Sequence, residues 1–237
     1  SAKTEVTFYV SALNATVTWG DGSSDTYSGK DVQCEHTYTT AESHTISIVG
    51  TEFYLFRSNY NSLTSIDISK NPALTELYCT GNTFSTLDIS DNEELIVLSC
   101  TWNKLTQLDV SHNNKLRQLS CEFNGITVLD VTKNTALEVL QLRKNDLTNI
   151  DLSKNAALTV LDISDNPHLT AIDISHNTAL LSLYVYIGSL TSLDLSHNTA
   201  LVELNIQMTS SLTSLDLSQN PHLFNLICEQ TSITSLD

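Results

Sequence analysis

From about residue 53 to its end the chain repeats itself every 21 or 22 residues, and each period divides into two phrases. The uniform half starts at Leu63, Phe84, Leu105, Ile126, Leu147, Leu169, Leu190, Leu212 and Ile233; when complete it is 11 residues long and reads L-T-x-(L/I)-D-(I/L/V)-(S/T)-x-N-x-x. The varied half starts at Phe53, Leu74, Leu95, Leu116, Leu137, Leu158, Leu180, Leu201 and Leu223. It reads L-x-x-L-x-(C/I/L/V)-x-x-N-x, with one residue more in the halves from Leu158 and Leu201. In both halves the apolar positions 4 and 6 alternate with polar ones, the period of an extended segment with one face buried, and position 1 adds a third anchor. Asn at position 9 suits a turn, because its amide satisfies backbone groups that the bending chain leaves unpaired. Stacked turns would set Asn71, Asn92, Asn113, Asn134, Asn155, Asn177, Asn198 and Asn220 in an inward ladder, about 4.8 Å apart. No single turn can bury its own leucines; only its neighbours can. Each buried large apolar side chain is worth roughly 1.5–3 kcal/mol, so the ordering cost is offset only when turns stack. The period therefore predicts a solenoid of about nine coils.

L-x-x-L-x-L-x-x-N-x-L is the leucine-rich-repeat pattern. Leu74 to Asn82 (L-T-E-L-Y-C-T-G-N), Leu95 to Asn103 (L-I-V-L-S-C-T-W-N) and Phe84 to Asn92 (F-S-T-L-D-I-S-D-N) resemble the 21-residue, cysteine-containing repeats of the internalins, bacterial surface leucine-rich-repeat proteins. The resemblance covers about three quarters of the chain. It implies a leucine-rich-repeat solenoid of the α/β-horseshoe class, here mostly β with little helix. It also implies a secreted or cell-surface binding protein whose ligand is a protein or glycan, a host molecule among the candidates.

Residues 1–51 read as a separate module ahead of a solenoid spanning 52–237. Thr4 to Val10, Ala15 to Trp19 and His44 to Val49 alternate as strands, and Gly20-Asp21-Gly22-Ser23 is a turn. Val17 to Ser23 (V-T-W-G-D-G-S), His36 to Thr40 and the strand from His44 resemble the polycystic-kidney-disease (PKD) type β-sandwich. That likeness implies an extracellular accessory module, placed here as a cap on the open end of the solenoid. Asp21 and Asp25 either shape the loop or help hold Ca²⁺. Phe53 to Ser62 reads as a degenerate first varied half, with Ser58 at core position 6, and Phe53, Tyr54, Phe56 and Tyr60 are assigned to packing against the cap. The sequence stops at Ile233 to Asp237, inside a uniform half; either the natural chain continues or this end stacks on another molecule by end-to-end self-association.

The formal net charge is −16, which argues against nucleic acid and anionic membrane surfaces as partners. No run of about 18 apolar residues points to membrane insertion. No signal-peptide pattern opens the sequence, so an exported protein would be a processed or trimmed form. Cys79, Cys100, Cys121 and Cys228 all fall at position 6 of varied halves, where Leu142, Ile163, Val185 and Ile206 stand elsewhere. They act as small buried hydrophobes, reduced and without metal.

The two outward faces differ in kind. On the uniform face, position 5 is always Asp: 67, 88, 109, 130, 151, 173, 194, 216 and 237. These carboxylates either take hydrogen bonds from neighbouring Ser, Thr and backbone donors or hold cations. On the varied face, position 5 includes Tyr78, Asp162 and Tyr184, position 7 includes Glu122, Arg143 and Tyr186, and position 8 includes Trp102, Phe123, Ile187 and Met208. Exposed aromatic and long apolar residues are expected where something covers them. The candidate ligand-binding residues are Tyr78, the pair Trp102 and Phe123, and the group Tyr184, Tyr186, Ile187 and Met208. Position 9 loses its Asn after Asn166, becoming Gly188, Thr209 and Thr231, which predicts a locally altered rim. Each His, Asp and Ser recurs at a structural position, and no phosphate loop, metal spacing or unique nucleophile–base pair appears. The sequence therefore predicts a noncatalytic binding module without cofactor, with a structural spacer or stalk segment of a larger surface protein as the alternative.

Overall fold

The computed structural model describes residues 4–40, 42 and 44–236. Thirteen strands account for all the regular structure among these residues: β1 (Glu5–Thr18), β2 (Ser24–Thr37), β3 (Ser47–Arg57), β4 (Glu76–Tyr78), β5 (Val97–Ser99), β6 (Gln118–Ser120), β7 (Val139–Gln141), β8 (Val160–Asp162), β9 (Ser182–Tyr184), β10 (Glu203–Asn205), β11 (Ser214–Leu215), β12 (Asn225–Ile227) and β13 (Ser235–Leu236). Eleven form one sheet in the order β12-β10-β9-β8-β7-β6-β5-β4-β3-β1-β2, and β11 pairs β13. The fold is a leucine-rich-repeat β-solenoid of about nine turns with no helix among the described residues. Among the described residues no helix is long and apolar enough to cross a membrane.

β4 to β10 and β12 each occupy positions 3–5 of a varied half. They pair in parallel and in strict register, with Leu77, Leu98, Leu119, Leu140, Leu161, Leu183, Leu204 and Leu226 in one row. That register is forced, because a one-residue slip would turn every leucine outward. The anchors at positions 1, 4 and 6 fill a single core, with Leu95, Leu98 and Cys100 wholly buried.

On the uniform side the alternation holds but a continuous ladder does not form. Ile89 is buried and Asp88 exposed as the pattern requires, yet among the described residues the only strands on this side are β11 and β13. Each uniform half instead closes a turn of its own, as where Asn92 N–H donates to Ile89 O and Leu95 N–H to Asn92 O. Coils are joined there by side chains: Asn92 Nδ2 donates to Ile68 O (3.1 Å) and Asn71 O (2.8 Å), and Asn113, Asn134, Asn155, Asn177, Asn198 and Asn220 repeat the arrangement. The expected asparagine ladder is present.

The N-terminal part differs from the two-sheet sandwich that the sequence resembles. β1 pairs antiparallel with both β2 and β3, and β3 pairs in parallel with β4 through Leu55, Phe56 and Arg57 opposite Glu76, Leu77 and Tyr78. Strands β1 to β3 thus form one layer, continuous with the solenoid sheet. Bulges between Val10 and Ala12 and between Ala12 and Ala15 bend this layer and sharpen its twist, so Phe8, Trp19, Phe53 and Phe56 pack on one another at the end of the coils. The alternation in residues 4–49 specifies a buried face but not what buries it; here it is the first coil. β3 runs through residues 51 and 52, and the register makes Phe53 to Ser62 the first varied half. Ser58 sits in the core at position 6, and Asn61 Nδ2 reaches back to Thr7 O at 2.7 Å, so β1 stands in for the missing preceding coil. Phe53 and Phe56 are buried as packing residues, whereas Tyr54 and Tyr60 are exposed. The ring of Tyr60 lies where a Cβ on Gly81 would stand.

A candidate recognition surface on the varied face

The parallel register carries one row of position-5 side chains along the whole sheet. From β2 it runs Gln33, Tyr9, Arg57, Tyr78, Ser99, Ser120, Gln141, Asp162, Tyr184, Asn205, Ile227. The N-terminal strands thus extend the same surface. At that end the Arg57 guanidinium lies 5.1 Å from the centre of the Tyr78 ring and 6.0 Å from that of Tyr9, and pairs with Asp31 at 3.0 Å. Tyr78 OH donates to Glu76 Oε2 at 3.0 Å.

Position 8 is where each varied half leaves the sheet. Its N–H donates to the position-7 carbonyl of the next coil, as Trp102 does to Glu122 and Phe123 to Arg143. This requires a left-handed backbone, found at Tyr60, Gly81, Trp102, Phe123, Lys144, Asp165, Met208 and Gln230. A non-glycine residue held there costs of order 1–3 kcal/mol, which the surrounding ladder must sustain. Trp102 and Phe123 adopt it on adjacent coils and stack, ring centres 4.1 Å apart and 9° from parallel. The predicted pair is present, with Trp102 54% exposed.

The second predicted cluster is only partly assembled. Ile187 does not take the left-handed turn; it is 1% exposed and belongs to the core. A β-branched side chain is a poor occupant of that conformation, so the chain turns inward at Ile187 and the ladder bond at position 8 is absent there. This is the altered rim beside Gly188, and Ile187 is withdrawn from the ligand-binding set. Tyr184 and Tyr186 are half-buried and Met208 is exposed. Tyr184 OH donates to Glu203 Oε2 at 2.7 Å.

A residue that the aromatic pattern does not single out joins the two clusters. The Arg143 guanidinium lies 5.8 Å from the centre of the Phe123 ring and 5.0 Å from that of Tyr186, and its Nε donates to Asp165 Oδ2 at 3.1 Å. It reaches Tyr186 over the intervening coil because that coil carries only Ser164 at position 7, which is wholly buried. Trp102, Phe123, Arg143 and Tyr186 therefore make one continuous strip. Beside it, burial raises the pKa of Glu122 above the usual carboxylate range, with the charge of Asp162 adding to the effect and Arg143 opposing it. Burial likewise raises Asp162.

The uniform face shows none of this. Asp88 Oδ1 accepts from Ser90 N–H (3.0 Å) and Oγ–H (2.7 Å), and Asp67 and Asp130 are held in the same way. Asp109, Asp151, Asp173, Asp194 and Asp216 each accept the backbone N–H two residues on. These bonds hold the carboxyls below their ordinary range. Asp237 lies outside the described residues. In the N-terminal turn, Asp21 is engaged by Ser23 and His36, and Asp25 by the Trp19 indole at 2.7 Å. No group of three or more His, Cys, Asp or Glu among the described residues could hold a metal ion. Cys79, Cys100 and Cys121 are free and buried. Burial pushes the Cys100 thiol up to about 12 and the other two well above the usual thiol range.

A family model described as "Leucine Rich repeat" matches residues 165–180. No curated protein sequence matches the chain. Among solved structures, internalin C2 from Listeria monocytogenes aligns at 16% identity over 84% of this chain and 88% of its own, with a TM-score of 0.66. The Leptospira interrogans leucine-rich-repeat protein LIC12759 aligns at 16% identity over 76% of this chain and 67% of its own, with a TM-score of 0.55. InlJ from Listeria monocytogenes, whose functional domain is described as including a cysteine ladder, aligns at 29% identity over 74% of this chain, with a TM-score of 0.30; the chain spans 58% of that protein.

Proposed function

We propose that this chain is a noncatalytic binding module, secreted or displayed at a bacterial cell surface, that recognises a protein or glycan through its varied face. The fold is one widely used for protein binding. The observation that carries the proposal is the strip of Trp102, Phe123, Arg143 and Tyr186, assembled from four different coils. Large rings held half-exposed on strained backbone serve no turn and fill no core, whereas rings and guanidinium groups of this kind anchor interfaces. The expected contact residues are Tyr78, Trp102, Phe123, Tyr184, Tyr186 and Met208, with Arg143 added.

A glycan array and a surface pull-down test this, each repeated with Trp102→Ala and Tyr184→Ala. Binding abolished or weakened by these changes supports the assignment. Binding that survives both moves the site elsewhere, and no binding by any form leaves the chain a spacer.

A further inference from the structure

The varied face carries charge as well as rings, and its charges are unevenly matched. Both of its guanidinium groups are already paired within the chain, Arg57 with Asp31 at 3.0 Å and Arg143 with Asp165 at 3.1 Å. Lys144 is the remaining cation at positions 3, 5, 7 and 8 of the varied halves. Against it stand Glu76, Glu122, Asp162, Glu203 and Glu229, none of which forms an ion pair among the described residues. The first four occur on every second coil, which places them about 10 Å apart along the stack, and Glu229 follows on the coil next to Glu203.

Three of these carboxylates are fixed in place. Glu76 accepts from Tyr78 OH, Asp162 from Ser164 N–H at 3.0 Å, and Glu203 from Tyr184 OH at 2.7 Å and from Asn225 Nδ2 at 3.0 Å. Immobilised acceptors lose little entropy when a cation arrives.

The rings, by contrast, have few open faces. Phe123 is covered by Trp102 on one side and has the Arg143 guanidinium near it; Tyr186 lies beside the same guanidinium, and Tyr78 beside that of Arg57. Trp102, more than half exposed, and Tyr184, which has no ring or guanidinium against it among the described residues, are the exceptions. A pyranose ring needs an open aromatic face to stack on, and most of these faces are taken. Ring edges, tyrosine hydroxyls and fixed carboxylates remain.

We infer that the varied face docks a basic polypeptide surface, one presenting lysine or arginine side chains to Glu76, Glu122, Asp162 and Glu203, rather than a carbohydrate. The inference rests on the reading of this face as a recognition surface and names its partner class. One turn of polyproline II helix or two turns of α-helix spans about 9–11 Å and returns a side chain to the same face, so either can bring basic side chains to successive carboxylates. The overall charge of −16 draws the same partner in from a distance.

The chain supplies its own reporter. Of the two tryptophans, Trp19 is wholly buried and Trp102 lies on the face. Trp102 emission is titrated with three probes: a 12-residue peptide with Lys at every third position, the same peptide with Glu in place of Lys, and a mixture of chitotetraose and cellotetraose. Trp102→Phe serves as the blank and circular dichroism as the fold control. The Lys peptide is expected to give a saturable change that salt weakens. Glu122→Gln combined with Asp162→Asn should weaken it at least tenfold, with Glu203→Gln as substitute should that pair fail to fold. Asp109→Asn with Asp130→Asn on the uniform face should leave it unchanged. If the Glu peptide or the oligosaccharides match the Lys peptide, the basic-partner inference falls while the recognition face stands; if the uniform-face changes abolish the response with the fold intact, both fall. If no probe alters Trp102 emission, both fall.

Discussion

Asn145→Ala should destabilise the solenoid far more than Asn134→Ala, although both asparagines sit at position 9 and belong to one coil. Asn145 Oδ1 accepts the Ile126 N–H at 3.1 Å, and its Nδ2 donates to Cys121 O (3.1 Å) and Leu142 O (2.9 Å). Removing the side chain orphans a buried donor, at roughly 1–3 kcal/mol, and loses two further bonds at roughly 0.5–1.5 kcal/mol each. Both carbonyls keep another partner, Asn124 Nδ2 and Asn166 Nδ2, so the total is roughly 2–6 kcal/mol. Asn134 Nδ2 likewise donates to Val110 O (3.0 Å) and Asn113 O (2.8 Å), which also accept from Asn113 N–H and Leu116 N–H. Its Oδ1, however, is buried with no partner. Alanine loses two bonds but also removes an unsatisfied acceptor worth roughly 1–3 kcal/mol, so the two nearly cancel. The gap between the variants is roughly 2–6 kcal/mol, and at about 2–4 °C per kcal/mol for a chain of this size it is readily seen by thermal or urea unfolding. The cavities left by the two substitutions are alike and drop out of the comparison. An equal loss for the two, or a larger one for Asn134→Ala, would refute the claim that the ladders differ in how they are satisfied.

Three further outcomes follow from the same geometry. Ile187→Ala should cost roughly 2–5 kcal/mol in urea unfolding, as a core truncation does; a change within about 0.5 kcal/mol would return Ile187 to the surface. Iodoacetamide should leave Cys79, Cys100 and Cys121 unmodified in the folded protein and label them after unfolding, because burial holds them as thiols; labelling at the rate of half-buried Cys228 would contradict this. Glu122 has a folded pKa raised above its ordinary 4.5, so between those two values the folded state holds a proton that the unfolded state has released, and stability falls as pH rises through that window. Glu122→Gln should therefore stabilise the protein at pH 7, with the gain shrinking as pH falls toward 4.5; a gain that grows on acidification would reverse the sign.

How far the fold could be read in advance depended on the kind of residue. The leucine rows and the position-9 asparagines were legible because each serves one purpose in every coil. That the two asparagine ladders are satisfied differently was not, since the letter N is the same and only the course of the following backbone distinguishes them. The left-handed turn at position 8 was hinted at by Gly81 alone. Its exception at Ile187 has a physical reason in branching at Cβ, but the position pattern by itself put Ile187 among the exposed residues. The role of Arg143 was hidden for another reason: it depends on Ser164 being small enough to let a guanidinium pass to Tyr186, a relation between coils that no single repeat contains. The N-terminal strands were legible as strands. Their arrangement as one layer was not, because alternation names a buried face without naming its cover.

One comparison shows why the uniform face stays uniform while the other is free to vary. Asp151 in a uniform half and Asp162 in a varied half carry the same local motif: each accepts the N–H of the Ser two residues on, at 2.9 and 3.0 Å. Their acidities move in opposite directions. Asp151 is exposed, and the bonds from Ser153 dominate and lower its pKa. Asp162 stands beside the Arg143 strip, and burial dominates and raises it. In the uniform halves, where the inter-coil ladder is largely absent, the Asp–Ser bond is part of what shapes the turn, and substitution there costs structure. In the varied halves that keep it, the position-9 amide together with the backbone ladder already holds the coil, so the same bond is optional: Tyr78 and Gln141 replace the Asp without loss of register. Side chains at positions 5, 7 and 8 of the varied halves are thereby released from structural duty, the condition under which a surface can be adapted to a partner.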